Sequence, residues 1–538
     1  MSRWRIAIVG VLAAAAALVP AAPVAAHAGL ESSTPSASSV LEEAPSSIVL
    51  DFDEAVEASL ASIEVFDQGR APVDVGLPEA VGGDASIVTA DLPDLGDGVY
   101  VVVWRVTSVD GHVVDGAFSF QIGTDSDVDV DALLAELGNG ATASPAVERT
   151  LAIARLLAYV GLVLVLGAML WGGMATDRLA MAGSTRGMLW SGAALFGVGS
   201  LVQFGAQAAY VAAGTAGDMI DPAAWGRIDQ TSTGRALLVR IVLAVVLAAL
   251  VARWEHRATA WWRSVAVAAA VAALVTFPAG GHAAALTPRA VWTAVDAVHL
   301  AAVVVWLGGL LLFTIGAPTW LRSDEAAPVV RRFSSASAVA VPVLVVTGLA
   351  QANRLSGGLG NLTDTTWGRT LLAKVSVVVV LVAVAGVSRW LLRHSGRASI
   401  GRTVAAEAVL GIVVLALSAG LVGESPRPST ERQVFTTTLA SAGVIVDVTI
   451  TPGGVGQNEM HVIVTPPGGS LTPVASVTAR VSLPEQEIPD APVDLVAEGA
   501  NHYSGPVSFA LPGTWTLELI IEVSPGNNVL VVTEIPLA

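Results

Sequence analysis

Asp110, Gly111 and His112 stand between two runs rich in Val, Trp and Phe within residues 100–120. Runs of that kind read as β-strands. A carboxylate and an imidazole two residues apart along an extended chain project to one side, and the glycine between them lets the backbone turn tightly. Oxygen and nitrogen donors fixed in this way are half of a metal site. The other half lies at the amino terminus. Residues 1–26 begin with Arg3 and Arg5, continue through an apolar stretch over 6–19 and end in Val24-Ala25-Ala26. This is the pattern of a secretory signal with a small-x-small cleavage site. Cleavage there makes His27 the first residue, and its free α-amine and ring Nδ can chelate one ion. With His112 the site offers three nitrogens in a T shape, and Asp110 adds an oxygen. Such a tetragonal donor set favours Cu(II). The amine has an ordinary pKa of ~7.7–8.0, so the ion must displace its proton and affinity falls as pH drops. The plain alternative is a strand-edge histidine and an incidental terminal one.

Composition restricts the rest. Of 538 residues 53% are hydrophobic and 14% charged, which describes a membrane protein rather than a soluble enzyme. Cysteine is absent, excluding disulfides, thiolate metal sites and cysteine nucleophiles. The seven methionines are scattered or lie in the apolar segments, so no methionine-rich Cu(I) site is visible in the first segment. The net charge of −17 is concentrated in part over residues 27–148, where only Arg70 and Arg105 oppose the carboxylates. Such a surface attracts cations and repels nucleic acid, which is excluded as a partner.

The elements that must position these groups follow in order. Residues 27–123 alternate as short strands with turn residues between them, predicting a small all-β sandwich or barrel. Residues 124–149 read as a linker. Eight apolar segments follow over 150–422, near 150–174, 188–213, 235–252, 261–279, 291–316, 333–354, 369–392 and 403–422. Each approaches the ~20 residues that cross a bilayer as a helix. Arginines crowd alternate loops (Arg178 and Arg186; Arg253, Arg257 and Arg263; Arg322, Arg331 and Arg332; Arg389, Arg393, Arg397 and Arg402). The positive-inside rule makes those loops cytoplasmic, giving a multi-pass plasma-membrane protein, embedded in the lipid bilayer, with both terminal segments outside. Gly234-Arg235-Ala236-Leu237-Leu238-Val239-Arg240 is echoed by Gly368-Arg369-Thr370-Leu371-Leu372-Ala373-Lys374. Leu166-Gly167 is echoed by Leu307-Gly308, and Gln203 by Gln351. Two four-helix halves in the same orientation would explain the echo. Residues 434–538 return to strands, as in a second extracellular β-sandwich.

The first segment resembles the CopC family of extracytoplasmic copper-binding proteins. The resemblance rests on His27-Ala28, Ser33-Thr34-Pro35, Pro45, Leu50-x-Phe52-x-Glu54, the run from Tyr100 through Trp104-Arg105 and Ser108 to Asp110-Gly111-His112, and Gly116-x-Phe118-x-Phe120. It implies a Greek-key β-barrel and a Cu(II) site of His27, Asp110 and His112, with Glu54 beside the ligands rather than on the ion. The helical region is similar to CopD, the membrane partner often fused to CopC, through Asp296-x-x-His299, Trp306-x-Gly308-Gly309 and the Gly-Arg-x-Leu-Leu-x-Arg/Lys runs. Asp296 and His299 share a helix face with Trp306 two turns on. Ionisable groups in a membrane segment mark pathways, so these three and His282, beside Gly280-Gly281, are candidates for a transport path. A hydrogen-bonded pair bracing helices is the alternative for Asp296 and His299. Arg240 and Lys374 are expected to snorkel or pair. Residues 434–538 resemble the YtkA-like domain appended to such fusions. There His461 and His502 are available to a metal, although scattered strand histidines usually bind none.

These expectations describe a plasma-membrane copper-handling protein, not an enzyme. Its outer segment captures Cu(II), and its helices move copper inward or support that movement, in copper homeostasis and resistance, together with other copper-handling proteins. No Gly-x-x-x-x-Gly-Lys-Ser/Thr motif supplies ATP binding. The rivals are an oxidative copper enzyme built on an amino-terminal histidine, and a copper sensor or scaffold that transports nothing. Cu(II) titration with EPR on a fragment beginning at His27 is expected to give type-2 signals with nitrogen couplings. One extra residue ahead of His27 should weaken that site strongly; equal affinity would remove the terminal amine from it.

Overall fold

The computed structural model describes residues 29–37, 39–123, 130–137, 143–320, 323–356, 362–363, 365–394, 401–424, 435–451, 453–454, 456–466, 473–486, 488–499, 501–511 and 513–537. The expected signal segment 1–26 and His27 lie outside the described residues.

Strands β1 (Leu30–Thr34), β2 (Val40–Leu41), β3 (Ser47–Phe52), β4 (Ser62–Asp67), β5 (Pro72–Val73), β6 (Glu79–Val81), β7 (Asp84–Asp91), β8 (Gly98–Thr107) and β9 (Val113–Ile122) build two sheets. Their orders are β1-β3-β7-β6 and β2-β9-β8-β4-β5. Alternation explains the packing. Ile48, Leu50 and Phe52 of β3 point inward and are buried, while the residues between them are half-exposed. Phe52 meets Trp104 edge-on at 5.4 Å, and Tyr100 stacks on Phe120 at 5.4 Å. Trp104 pairs across the ladder with Gly116. A Cβ on that glycine would stand 2.6 Å from the indole, so the glycine of the Gly-x-Phe-x-Phe run is the space the tryptophan occupies. β8 and β9 pair without a break from Gly98–Ile122 to Thr107–Val113, and the chain reverses at residues 108–112.

Among the described residues eight long helices follow, with shorter ones between them: α1 (Pro145–Gly173), α2 (Gly183–Val211), α3 (Ser232–Ala252), α4 (Ala260–Ala279), α5 (Arg289–Ile315), α6 (Ala327–Leu355), α7 (Thr366–His394) and α8 (Gly401–Leu421). Among the described residues seven helices are long and apolar enough to cross a membrane, and Ala405–Leu421 is a shorter apolar one. Val239, Val242 and Val245 of α3, Val267 and Val271 of α4, and Val375 and Val379 of α7 are exposed, as side chains facing lipid would be. Several helices begin ahead of their apolar stretch, α6 at Ala327 and α1 at Pro145. Their first two turns carry charge (Arg331 and Arg332; Glu148), which hydropathy reads as loop although the backbone is already helical. Part of the stretch expected to link the first two regions is also helical, over Val130–Leu137. Ala, Leu and Glu favour helix there, and Leu133 is buried.

The sequence echoes occupy matching places. Thr231 caps α3 by accepting from the Gly234 amide at 3.0 Å, and Thr365 caps α7 by accepting from Gly368 at 2.9 Å. A side chain on either glycine would collide with a carbonyl, of Ile228 in the first case and of Leu362 in the second. Gly167 and Gly308 lie against each other where α1 crosses α5: a Cβ on Gly167 would lie 2.5 Å from the Gly308 Cα, and one on Gly308 2.7 Å from the Gly167 Cα. Equivalent residues touching each other is what a two-fold relation between halves requires.

At the other end of the bundle, the loops flanking α1, α3 and α5 are tied together. Thr176 donates to Glu325 at 2.6 Å, Arg178 lies 3.5 Å from Glu325, and Arg257 pairs with Asp177. This is the arginine-rich end, opposite the first sheets.

After the bundle, β10 (Phe435–Ser441), β11 (Val444–Thr451), β12 (Gly456–Thr465), β13 (Ser476–Leu483), β14 (Ile488–Val493), β15 (Val496–Gly499), β16 (His502–Phe509), β17 (Gly513–Ser524) and β18 (Asn527–Leu537) form two more sheets. They run β10-β11-β12-β16-β15 and β14-β13-β17-β18 and enclose their own apolar core.

Gly167→Leu is expected to destabilise the detergent-solubilised protein by about 1–3 kcal/mol or more, because backbone rather than a movable side chain must yield. Gly187→Ala, a helical position with nothing within 4 Å, should instead leave stability equal or up to about 1 kcal/mol higher. Thermal unfolding of both variants reads the contrast, and a neutral Gly167→Leu would dismiss the close crossing.

Candidate metal centre

Residues 108–112 fold as a tight turn rather than as extended chain. The Gly111 amide donates to the Ser108 carbonyl at 2.8 Å, and the Ser108 amide donates to the His112 carbonyl at 2.8 Å. Gly111 has φ +90°, a conformation that side chains resist. Asp110 and His112 therefore converge by chain reversal and not by strand alternation, which corrects the expected reason for their proximity. The His112 amide donates to Asp110 Oδ1 at 3.1 Å, and His112 Nδ1 lies 2.9 Å from the same oxygen. Both side chains are almost fully buried. Glu54 supports the turn from behind: the Ser108 hydroxyl donates to its Oε1 at 2.6 Å, and the Asp110 amide reaches the Ser108 oxygen at 3.4 Å. Glu54 thus touches Ser108.

The turn is pressed onto the helical bundle. Gln207 of α2 donates to the Gly111 carbonyl at 2.7 Å. The Thr233 hydroxyl, in the first turn of α3, lies 3.5 Å from the Val109 carbonyl, and the Ser232 amide donates to Glu57 at 2.7 Å. Arg105 Nη2 reaches the Val211 carbonyl at 3.4 Å, and Val113 packs on a cluster that includes Val147, Ala206 and Tyr210. A Cβ at Gly111 would stand 2.8 Å from the Thr233 hydroxyl.

That docking brings a third donor to the pair. His282, in a short turn between α4 and α5, stacks on His112 with centroids 5.4 Å apart and planes 13° from parallel. One ligand atom each from Asp110, His112 and His282 lies within 4.8 Å of the others. Burial pushes the His282 imidazole down to about 4; Asp110 opposes the fall, while His112 and Arg155 add to it, and a backbone hydrogen bond at Glu424 opposes it. The ring therefore stays neutral near pH 7, with a lone pair to offer. Arg155 of α1, buried beneath, interacts electrostatically with Asp110, Tyr159 and Tyr210. A carboxylate oxygen and two imidazoles are donors for copper, zinc or nickel rather than for hard cations.

The other candidate residues lie deeper. Asp296 of α5 faces Gln351 of α6 and Lys374 of α7. His299 is 2.8 Å from the Thr347 hydroxyl of α6. The two thus hydrogen-bond to different residues of α6, while Lys374 acts electrostatically on both. Trp306 is buried in the apolar core of the bundle. Arg240 does not snorkel: it donates to Gln203 at 3.0 Å and to the Thr276 carbonyl and hydroxyl at 3.0 and 3.2 Å, and lies 3.7 Å over the Phe277 ring. Gln207, Thr233, Glu57 and Arg155 were not picked out from the sequence. Gln203 and Gln207, four apart in an apolar segment, were the available signal, since polar groups at that spacing share one face.

Three family models match the chain: CopC domain over residues 30–123, copper resistance protein D-like N-terminal domain over 146–289, and copper resistance protein D over 327–421. Protein YobA of Escherichia coli (strain K12) is 31% identical over 98 residues, 18% of this chain and 79% of that protein. The chain belongs to the CopC/CopD copper-resistance family. The copper transport protein CutJ of Bacillus subtilis (strain 168) is 28% identical over 461 residues, covering 82% of this chain and 83% of that one. The crystal structure of CopC from Methylosinus trichosporium OB3b is 31% identical and covers 19% of this chain and 99% of that one, with a TM-score of 0.18. Membership of this family makes the chain a copper-handling protein. His27, the remaining expected ligand, lies outside the described residues.

Gln207→Ala leaves the Gly111 carbonyl without its donor, a loss of about 1–3 kcal/mol for a buried group. Hydrogen exchange across residues 108–113 is expected to accelerate in this variant. Exchange equal to the parent would show that the turn does not rest on α2.

Proposed function

We propose that the protein carries copper inward across the plasma membrane, with the CopC-like segment outside capturing Cu(II) and the helical bundle receiving it through His282. The observation that carries this reading is the cluster itself: two donors, Asp110 and His112, belong to the outer sheets, and the third, His282, belongs to the bundle. An ion bound by the first pair lies within reach of the third ligand, so transfer is a ligand exchange over a few ångströms rather than a diffusion step. In this reading the amine and ring of His27 complete the capture site, and their departure as His282 arrives shifts the ion from one segment to the other. Glu54 acts through Ser108 by holding the turn in shape.

Below the cluster, Asp296 lies seven residues into α5, about 10 Å along the axis, and His299 about 15 Å, near half the ~30 Å apolar thickness. These two are the groups in the second half suited to an ion in transit. Lys374 balances Asp296 while no ion is present. In the first half, Arg240 at the corresponding depth repels cations, so the route runs through the second half. The membrane potential or a partner protein supplies the energy. Both β-regions lie outside the cell, since the arginine-rich loops lie at the opposite end of the bundle from the docked sheets. Residues 434–538 are a YtkA-like domain.

Copper uptake into proteoliposomes tests the route. His282→Ala should keep Cu(II) capture but slow uptake roughly ten- to a hundredfold, the range seen when even an outer partner of a metal ligand is removed. Asp296→Ala and His299→Ala should slow it without altering capture. Uptake equal to the parent in all three variants would remove this route, and a parent that takes up no copper would leave a copper-binding scaffold or sensor.

A further inference from the structure

Two histidines far from the outer cluster come together in the C-terminal sandwich. β12 and β16 are antiparallel neighbours in which His461 lies opposite Ser504 and Ile463 opposite His502. Successive side chains alternate between faces. Met460, Val462 and Val464 fill the core from β12, and Tyr503, Val507 and Phe509 fill it from β16. His461 and His502 therefore both stand on the opposite face, diagonal to each other across two rungs. Their rings stack with centroids 5.6 Å apart and 26° between planes, and His461 Nδ1 is 3.3 Å from His502 Nε2. His461 is buried with only 7% exposure, while His502 is half-buried and open to an approaching ion.

The core is complete without these rings, and a cross-strand pair of ordinary apolar side chains would stabilise the sheet as well. What two imidazoles add is a pair of nitrogens facing each other at hydrogen-bond distance, where an ion can take the place of the shared proton. We propose that His461 and His502 bind a copper ion in its cuprous form, a second site independent of the outer cluster. Among the described residues, no third histidine or carboxylate joins them in a cluster of three. Cu(II) seeks a tetragonal set of donors, whereas the closed d-shell of Cu(I) accepts two nitrogens in line. Such an ion needs its nitrogens about 4 Å apart, twice a metal–imidazole bond of ~2 Å. Small rotations of the two rings provide that opening. The site takes up the reduced ion directly and involves no redox step.

The test uses the full chain in detergent, freed of metal and titrated anaerobically with Cu(I) against a chromophoric chelator. The parent and the double variant H112A/H282A should each hold a Cu(I) ion that His502→Gln or His461→Ala weakens by roughly tenfold or more. X-ray absorption of the loaded double variant should show two nitrogen neighbours. A double variant that holds no Cu(I), or a His502→Gln protein that binds as tightly as the parent, overturns the proposal. If His461→Ala fails to fold, His502→Gln at the half-exposed position decides alone. Failure of the outer cluster would instead appear as an unchanged Cu(II) EPR signal in H112A/H282A, which leaves this result unaffected.

Discussion

A backbone turn with no room for a side chain governs the outer end of this molecule. Gly111 has a conformation that a Cβ resists, and its open face lies against Thr233 and Gln207 of the bundle. Relieving either constraint would lift the turn away from the helices. Three consequences hang on the fit. Asp110 and His112 share a hydrogen bond because the chain reverses between them. Their side chains are buried because the bundle covers them. His282 reaches them because the same surface that holds the turn also carries the connection between α4 and α5. Burying a carboxylate beside two imidazoles is expensive unless each finds partners, and here the His112 amide and the nearby Arg155 supply them to Asp110.

Inside the bundle the two halves repeat in backbone but differ in charge. Caps, close-packed glycines and a glutamine recur, yet Arg240 is held by neutral oxygens and an aromatic face, whereas Lys374 faces Asp296. A guanidinium can spread its charge over several acceptors and a ring, so it tolerates a site without a carboxylate. A compact ammonium needs the counter-charge more. One half thus holds its buried cation on neutral acceptors, whereas the other sets an acid and a histidine near its own.

Much of the architecture was legible in residue patterns. Alternating Ile48, Leu50 and Phe52 announce a strand with one buried face, and uninterrupted apolar runs announce helices. Helix ends were less visible, because charged early turns such as the second turn of α6 continue the helix beyond the hydropathic signal. Val130–Leu137 went unseen because acidic neighbours disguised a good helix-former. At the site, Asp110 and His112 were recognisable as donors from type and spacing, and Glu54 from its place in the CopC pattern. Their geometry was not, since an Asp-Gly-His triplet is compatible with both strand and turn, and only the packing of Gly111 decides. The meeting of His112 with His282 depends on residues 170 positions apart, and no local pattern encodes a contact of that range. Gln207 and Thr233 were obscured for the same reason: each is unremarkable until the surface opposite is known.

The crossing of α1 and α5 at Gly167 and Gly308 has a mechanical corollary. Two bare backbones pressed together leave no side chain that could yield, so the spacing of the halves at this point is dictated by the main chain itself. The connection that joins the halves, from the end of α4 to the start of α5, inherits that spacing, and His282 rides on it.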